Sequence, residues 1–372
     1  MKSIRFVNNN FSLKTIRIAS SILAPIVDNR FVPYPWMMVL VVTRRCNAKC
    51  QMCNIWQEKN PSELSLKDLE IILTRNDLSF IRFLTLTGGE PTLRKDLPQI
   101  FKISIENLRN LEEVHLATSG LNTQRTINYI HKMMGILSTH ENKIYRFTVQ
   151  ISLDGIEKIH DTIRGIPGFY QKTLSTINGL IKLKKNYPLL HIRLSSVLMR
   201  QNTAYAKQIH EFAREKGLEI HFSPVVFSDS YYSNLINQPL LYESNMDGTS
   251  SFFANLHKSD HSSLRFYYED AANMLLGNER KRRCMMGFFA FVLEHDGNVY
   301  PCLNCENNSF GNLLIDSFDK IWFNKKSLVR ERLRSDCCPN CTSMCYTLPV
   351  NIFEMTNLIW VKKIRPFLRE YS

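Results

Sequence analysis

The chain has 372 residues, 44% of them hydrophobic and 22% charged, which is the composition of a globular protein long enough to bury one large core and a smaller one. No apolar run approaches the ~18 residues that span a bilayer, and no secretory signal opens the sequence. The net charge of +13 points to an anionic partner or simply to a solvated basic surface, and charge alone does not choose between them.

Residues 11–27 carry apolar side chains at helical spacing with Lys14 and Arg17 between them, and Pro25, Pro33 and Pro35 follow. This N-terminal extension (1–35) reads as a helix capping the domain, with a lie along a membrane surface as the sharper option. Strand-like runs then fall at 37–43, 82–87, 112–118, 147–153, 190–199 and 218–224. They alternate with helix-like segments at about 65–77, 95–109, 123–136, 168–186 and 203–217. Ser65 is placed as an N-cap with Asp68 at the third helical position. Strictly alternating strands and helices imply βαβ units, a parallel sheet, and all strand C-termini on one rim. This core runs over 36–225. Residues 226–262, rich in Ser, Asn, Tyr and Asp, read as irregular, and 226–283 as a linker or lid. A tail at 347–372 again mixes aliphatics, Trp360 and basic residues. Two basic amphipathic ends make a peripheral membrane contact one expectation.

The ten cysteines fall in two groups, three at 46–53 and seven at 284–345. A long chain with no secretory signal is a poor candidate for a disulfide framework, so two metal or cluster sites in a reducing cytoplasm are expected. Cys46, Cys50 and Cys53 lie on one loop directly after the first strand. Three thiolates there can hold three irons of a cubane and leave the fourth open. After the second strand comes Thr85-Leu86-Thr87-Gly88-Gly89-Glu90-Pro91, where two glycines permit close backbone approach and Glu90 offers a carboxylate for an ammonium group.

Cys-x3-Cys-x2-Cys followed by Gly-Gly-Glu resembles the radical S-adenosylmethionine (SAM) superfamily, over roughly residues 36–345. The resemblance implies a partial (β/α)6 TIM-like barrel and a SAM-binding [4Fe-4S] cluster on Cys46, Cys50 and Cys53. It also implies SAM contacts from Gly88, Gly89, Glu90 and the backbone at Met52, where many relatives have an aromatic residue. Ser152-Leu153-Asp154-Gly155 and His160-Asp161-Thr162-Ile163-Arg164-Gly165 are similar to a run in relatives with extra clusters. There the serine lies by the SAM ribose and the arginine by its carboxylate, which implicates Ser152, Asp154 and Arg164. Ser119-Gly120, Ser195 and Asn202 are weaker candidates.

Residues 284–346 read as a small module. Asp296-Gly297 turns a hairpin between Phe289–Leu293 and Val299-Tyr300, Cys284 precedes it, Cys302 ends it, and a helix containing Trp322 follows. The order resembles a Twitch/SPASM auxiliary-cluster module. That resemblance implies an auxiliary [4Fe-4S] cluster on Cys284, Cys302, Cys338 and Cys341, with Cys345, Cys305 and Cys337 as substitutes. Spacing alone equally allows a structural zinc site on Cys302-x2-Cys305 and Cys338-x2-Cys341.

The expected function is therefore a radical SAM enzyme. It takes hydrogen from a peptide, a sugar or alcohol, or a lipid-linked small molecule in a net oxidation, and draws electrons from a flavodoxin or ferredoxin. The short N-terminal extension argues against a leader-binding domain of the kind peptide modifiers carry. The alternative is an iron–sulfur RNA-modifying or nucleic-acid-binding factor, for which no RNA-binding motif or aromatic–basic stripe stands out.

Overall fold

The computed structural model describes residues 32–323 apart from short breaks at 60, 76–77, 141–142, 243–246, 261, 263, 283 and 305–308, together with Ser12, Thr15 and residues 341–344. The two amphipathic ends, and Cys305, Cys337, Cys338 and Cys345, lie outside the described residues.

Six parallel strands form the core: β1 (Met37–Thr43), β2 (Phe83–Gly88), β3 (Glu113–Thr118), β4 (Arg146–Ser152), β5 (Leu190–Leu198) and β6 (Glu219–Pro224). Between them run α1 (Leu66–Leu73), α2 (Leu97–Asn107), α3 (Thr123–Thr139), α4 (Lys158–Arg164), α5 (Phe169–Lys184) and α6 (Ala206–Glu215). The parallel sheet is the one that the alternation predicts, and the six units are the partial (β/α)6 barrel that the family resemblance implies. Ser65 caps α1 with a full capping box: its hydroxyl accepts from Asp68 N (3.2 Å) and the Asp68 carboxylate accepts from Ser65 N (3.0 Å).

Burial along the strands explains the layering. Every residue of β1 is buried, as a central strand of a parallel sheet requires. In β5 burial alternates. Leu190, Ile192, Leu194 and Leu198 join the apolar layer under the helices, while His191, Arg193, Ser195 and Val197 face the other way. Strand period two thus gives the barrel an apolar outside, covered by helices, and a partly polar inside.

Two features depart from the sequence reading. Residues 226–262 are not irregular throughout. They contain α7 (Asp247–Ser259), which packs on α8 (Leu264–Leu275). Small polar residues dilute the apolar stripe of α7, but Thr249, Ser250, Phe253 and Leu256 still form a buried face. Secondly, the hairpin of β7 (Ala290–Leu293) and β8 (Asn298–Tyr300), turning at Asp296-Gly297, does not stand apart from the barrel. β7 pairs parallel with β1, Met37 opposite Ala290, and β9 (Gly311–Asn312) follows β8. Among the described residues the sheet therefore runs unbroken in the order β6-β5-β4-β3-β2-β1-β7-β8-β9. The short helix α9 (Phe318–Phe323) buries Trp322, whose indole donates to Pro33 O at 2.8 Å.

Candidate active site

The cysteine loop leaves the C-terminal end of β1 and is held from both sides. On one side its backbone bonds to the end of α4, with Lys49 N donating to Arg164 O (3.0 Å) and Gln51 N to Ile163 O (2.9 Å). A Cβ on Gly165 would sit 2.4 Å from Lys49 O, so this contact requires glycine. On the other side a strap at residues 228–237 grips the loop. Asn234 Nδ2 donates to Met52 O (2.7 Å), Asn237 Nδ2 to Gln51 O (2.8 Å), and Asn54 N to Tyr232 O (2.8 Å). Asn234 thus engages the carbonyl of Met52, the residue whose backbone the resemblance places against SAM.

Gly88 and Gly89 are explained by the same loop. Their missing Cβ atoms would lie 2.0 Å from Thr43 O and 2.3 Å from Arg45 O, and Gly88 has φ +149°. What the two glycines approach closely is the backbone entering the cysteine loop, rather than empty ligand space. Glu90 is buried, and its carboxylate accepts from Thr92 N and Oγ1, Thr118 Oγ1, and Ser119 N and Oγ, at 2.6–3.1 Å. Five donors fill a carboxylate's acceptor sites. Glu90 therefore ties the ends of β2 and β3 together, and an ammonium group reaching it has to share one of these bonds.

Asp154 and Arg164 form a buried ion pair of 2.5 Å rather than a surface one, and Arg164 Nη1 donates to Cys50 Sγ at 3.5 Å. Burial works against the Arg164 charge, but Asp154 and Cys50 beside it hold its pKa above the ordinary arginine value. Asp154 is fixed in turn by Val197 N on its carboxylate and Asn202 Nδ2 on its carbonyl, both at 2.8 Å. His160 Nδ1 accepts from Asp154 N (3.1 Å). Burial, then Arg164, pulls the His160 pKa down to about 3, so the ring is neutral. Ser152 stands at the end of β4, paired in register with Ser195.

Cys46, Cys50 and Cys53 are free thiols that raise one another's pKa. Burial is the larger cause, pushing Cys46 up to about 12 and Cys53 to about 11. Protons are hard to remove from such a set unless a cation replaces them, and an all-sulfur donor set suits iron–sulfur chemistry. Cys284, Cys302 and Cys341 form a second set of mutually interacting cysteines. Burial pushes Cys284 up to about 12 and raises Cys341, on whose sulfur Asn304 Nδ2 donates at 3.6 Å. Cys46, Cys53, Cys284 and Cys302 border one apolar cluster built around Trp36, Tyr231 and Phe289. Among the described residues no three His, Cys, Asp or Glu side chains converge as ligands of a single ion. The zinc reading drew on Cys305 and Cys338, which lie outside the described residues.

Inside the barrel, beside the cysteine loop, is a cavity of about 320 Å³. Alternate residues of the strands line it, among them Thr85, His115, Gln150, Arg193, Ser195 and His221, and Met52 enters from the loop. Tyr232 of the strap and Leu303, Ser343 and Met344 of the C-terminal region complete its wall. Tyr267 Oη donates to Thr342 O (2.9 Å), which ties that wall to α8.

Sequence reasoning missed the strap asparagines, because they follow no motif. It also missed the polar barrel interior, although inward residues of a period-two strand are readable once the strand is placed.

The profile of the radical SAM superfamily matches residues 40–213, and that of an iron–sulfur cluster-binding SPASM domain matches residues 284–346. The chain belongs to the radical SAM superfamily. As a SPASM-containing radical SAM enzyme it uses a [4Fe-4S] cluster and SAM, with auxiliary iron–sulfur binding in the SPASM domain. It is 27% identical over 290 residues to a cysteine-type anaerobic sulfatase-maturating enzyme of Clostridium novyi, covering 72% of each chain. It is 23% identical over 293 residues to the sporulation killing factor maturation protein SkfB of Bacillus subtilis, covering 77% of this chain and 64% of that one. Among solved structures, anSMEcpe with bound AdoMet superposes with a TM-score of 0.57 at 18% identity over 88% of this chain and 99% of that one. SuiB of Streptococcus suis bound to SAM also gives 0.57, at 14% identity, over 86% and 72%. These likenesses establish the radical SAM fold. No helix among the described residues is long and apolar enough to cross a membrane.

Proposed function

We propose that Cys46, Cys50 and Cys53 hold the SAM-binding cluster, and that Gly88–Glu90, Met52, Ser152, Asp154 and Arg164 surround SAM. Cluster and SAM together supply a 5′-deoxyadenosyl radical that takes a hydrogen atom from substrate. The observation that carries this reading is the set of three free thiols on one loop, Cys50 buried and Cys46 and Cys53 partly so, bordered by Glu90 and Arg164 and opening beside a largely apolar cavity that a few polar side chains line. Arg164 keeps a fixed positive charge against Cys50, and Asp154 keeps Arg164 in place. The barrel walls and the C-terminal residues over the cavity hold substrate away from bulk water.

Cys284, Cys302 and Cys341, with Cys338 as fourth ligand and Cys345 in reserve, then hold an auxiliary cluster. A cluster held there would supply an acceptor for the electron left on substrate, which would make the net reaction oxidative. A flavodoxin or ferredoxin in a reducing cytoplasm supplies the electron that starts each turnover. The cavity admits one amino-acid side chain or a molecule of similar size. A peptide side chain is the favoured occupant, because two relatives are named for maturing proteins or peptides and solved neighbours hold the SuiA precursor or Cp18Cys peptide.

The test is iron and zinc per chain after anaerobic reconstitution, with dithionite-driven 5′-deoxyadenosine release from the same sample. About eight irons with 5′-deoxyadenosine formed support two cubane clusters and the radical reaction. About four irons plus one zinc leave the radical reaction standing and remove the auxiliary cluster. Absence of 5′-deoxyadenosine at full iron loading overturns the reading.

A further inference from the structure

The floor of the barrel cavity carries a group of side chains that neither the cluster loop nor the SAM surroundings use. Arg193 on β5 donates from Nη2 to Gln150 Oε1 (2.7 Å) and to His115 Nδ1 (3.2 Å), and from Nε to Gln150 Oε1 (3.2 Å). Both partners are neutral acceptors. Among the described residues no carboxylate lies within ion-pair distance of Arg193. Glu113 lies 3.9 Å from His115 and accepts from Tyr145 Oη, and Glu219 and Glu113 act on Arg193 from further away. Burial draws the Arg193 pKa down to about 10, which still leaves it charged at neutral pH.

A second observation points to the same place. His221 on β6, in register with Ser195 and diagonal to Arg193, borders the same cavity, and its buried Nδ1 has no hydrogen-bond partner. Buried polar atoms are nearly always paired, so an orphaned ring nitrogen beside a cavity calls for an occupant. A partly buried arginine on a cavity wall, hydrogen-bonded by neutral partners alone, favours an anion. In its Nδ1–H tautomer, His221 donates to the same anion.

Gln150 pairs in register with Arg193, and Ser152 with Ser195, so Arg193 lies one inward step below the serine rung, about 7 Å by strand rise, while His221 lies on the serine rung opposite Ser195. The His115 ring packs edge-on against Phe83, with centroids 4.4 Å apart.

We propose that Arg193 and His221, with Gln150 and His115 holding the guanidinium in place, form a substrate-anchoring site for a carboxylate or phosphate group at the floor of the barrel. This rests on the reading of the cavity as the substrate site. The anion anchors the deep end of the substrate and leaves its reacting C–H bond nearer the rim. A fork of guanidinium N–H groups suits either oxyanion.

The test is anaerobic equilibrium dialysis of the full-length, reconstituted protein with SAM at saturation. Radiolabelled inorganic phosphate serves as one probe and succinate as the other. Saturable binding of one probe at one per chain, weakened at least tenfold in Arg193→Gln and less in Arg193→Lys, is the expected result. Which probe binds separates a phosphorylated substrate from a carboxylate such as an acidic side chain. If Arg193→Gln does not fold, as judged by its unfolding temperature, Arg193→Lys and His221→Phe carry the comparison. The proposal is overturned if neither probe binds saturably, or if binding is undiminished in the variants. It is also overturned if a probe binds only when SAM is omitted, since the arginine then serves SAM itself. Release of 5′-deoxyadenosine by the wild-type sample is read in parallel. Loss of that signal faults the radical reading, whereas its presence without anion binding faults only the anchor.

Discussion

The guanidinium of Arg164 bridges Asp154, at 2.5 Å, and the sulfur of Cys50, at 3.5 Å. One side chain thereby joins the end of β4 to the cluster loop, with the Asp154 side chain fully buried and that of Arg164 nearly so. Removing one partner strands the other charge in the interior. Asp154→Ala is expected to lower unfolding free energy by about 3–5 kcal/mol and to reduce iron retained after reconstitution. Denaturant titration and iron analysis check both; an unchanged midpoint would show that the pair does not hold the loop.

Glycine substitutions separate close approach from mere flexibility. Gly89→Ala drives a Cβ to 2.3 Å from Arg45 O, backbone that cannot step aside. It is expected to cost about 2–3 kcal/mol, at the upper end of overpacking, and to impair cluster incorporation. Gly135 in α3 has nothing within 4 Å of a built Cβ, so Gly135→Ala is expected to stabilise by about 0.5–1 kcal/mol. Thermal unfolding of the pair decides the matter by opposite signs.

The strap is predicted to act through the loop it holds. Asn234→Ala removes donors from Met52 O and Val226 O and an acceptor from Ser228 N. Leaving these groups unsatisfied is expected to cost about 1–3 kcal/mol. Hydrogen exchange at residues 50–54 should speed up while that of β4 stays constant. Equal acceleration throughout the barrel would contradict a local role.

His160 gives stability a pH dependence. Its pKa is about 3 in the folded protein against an ordinary 6.5. The unfolded chain therefore takes up a proton first as pH falls. Its contribution is fully present above pH 6.5 and is lost progressively as pH falls toward about 3. Each unit in that window costs about 1.4 kcal/mol for one group. His160→Gln should flatten the slope of unfolding free energy between pH 6.5 and 5, measured on wild type and variant together; parallel slopes would assign the dependence elsewhere.

The two thiol sets are separable by mutation. Cys50→Ala is expected to remove about four irons and all 5′-deoxyadenosine release, and Cys302→Ala about four irons while SAM cleavage persists. Loss of SAM cleavage in both would mean that the sets fold as one unit.

Much of this was legible in the residues. All six barrel strands lie within two residues of where their apolar runs put them, and Ser65 caps where its side chain and Asp68 predict. Local chemistry writes such signals into consecutive residues. Gly88 and Gly89 were singled out as letting the backbone approach a ligand closely. What they approach is a backbone some 45 residues earlier in the chain, and spacing does not encode such a partner. Likewise the α7 helix was hidden by its Ser, Thr and Asn content, since its buried face becomes apparent only against α8. Arg193, Gln150, His115 and His221 sit on four positions of three neighbouring strands and β6, and only the register brings them together.

The pairing of β7 with β1 bears on how the molecule is made. Met37 and Ala290 are roughly 250 residues apart, a separation that makes their contact slow to form. During synthesis β1 emerges early, carrying the cysteine loop, yet one of its edges waits for nearly the last strand to leave the ribosome. A nascent chain stalled before residue 290 presents that edge to other chains. Delayed translation of the C-terminal third is therefore expected to favour aggregation through that edge.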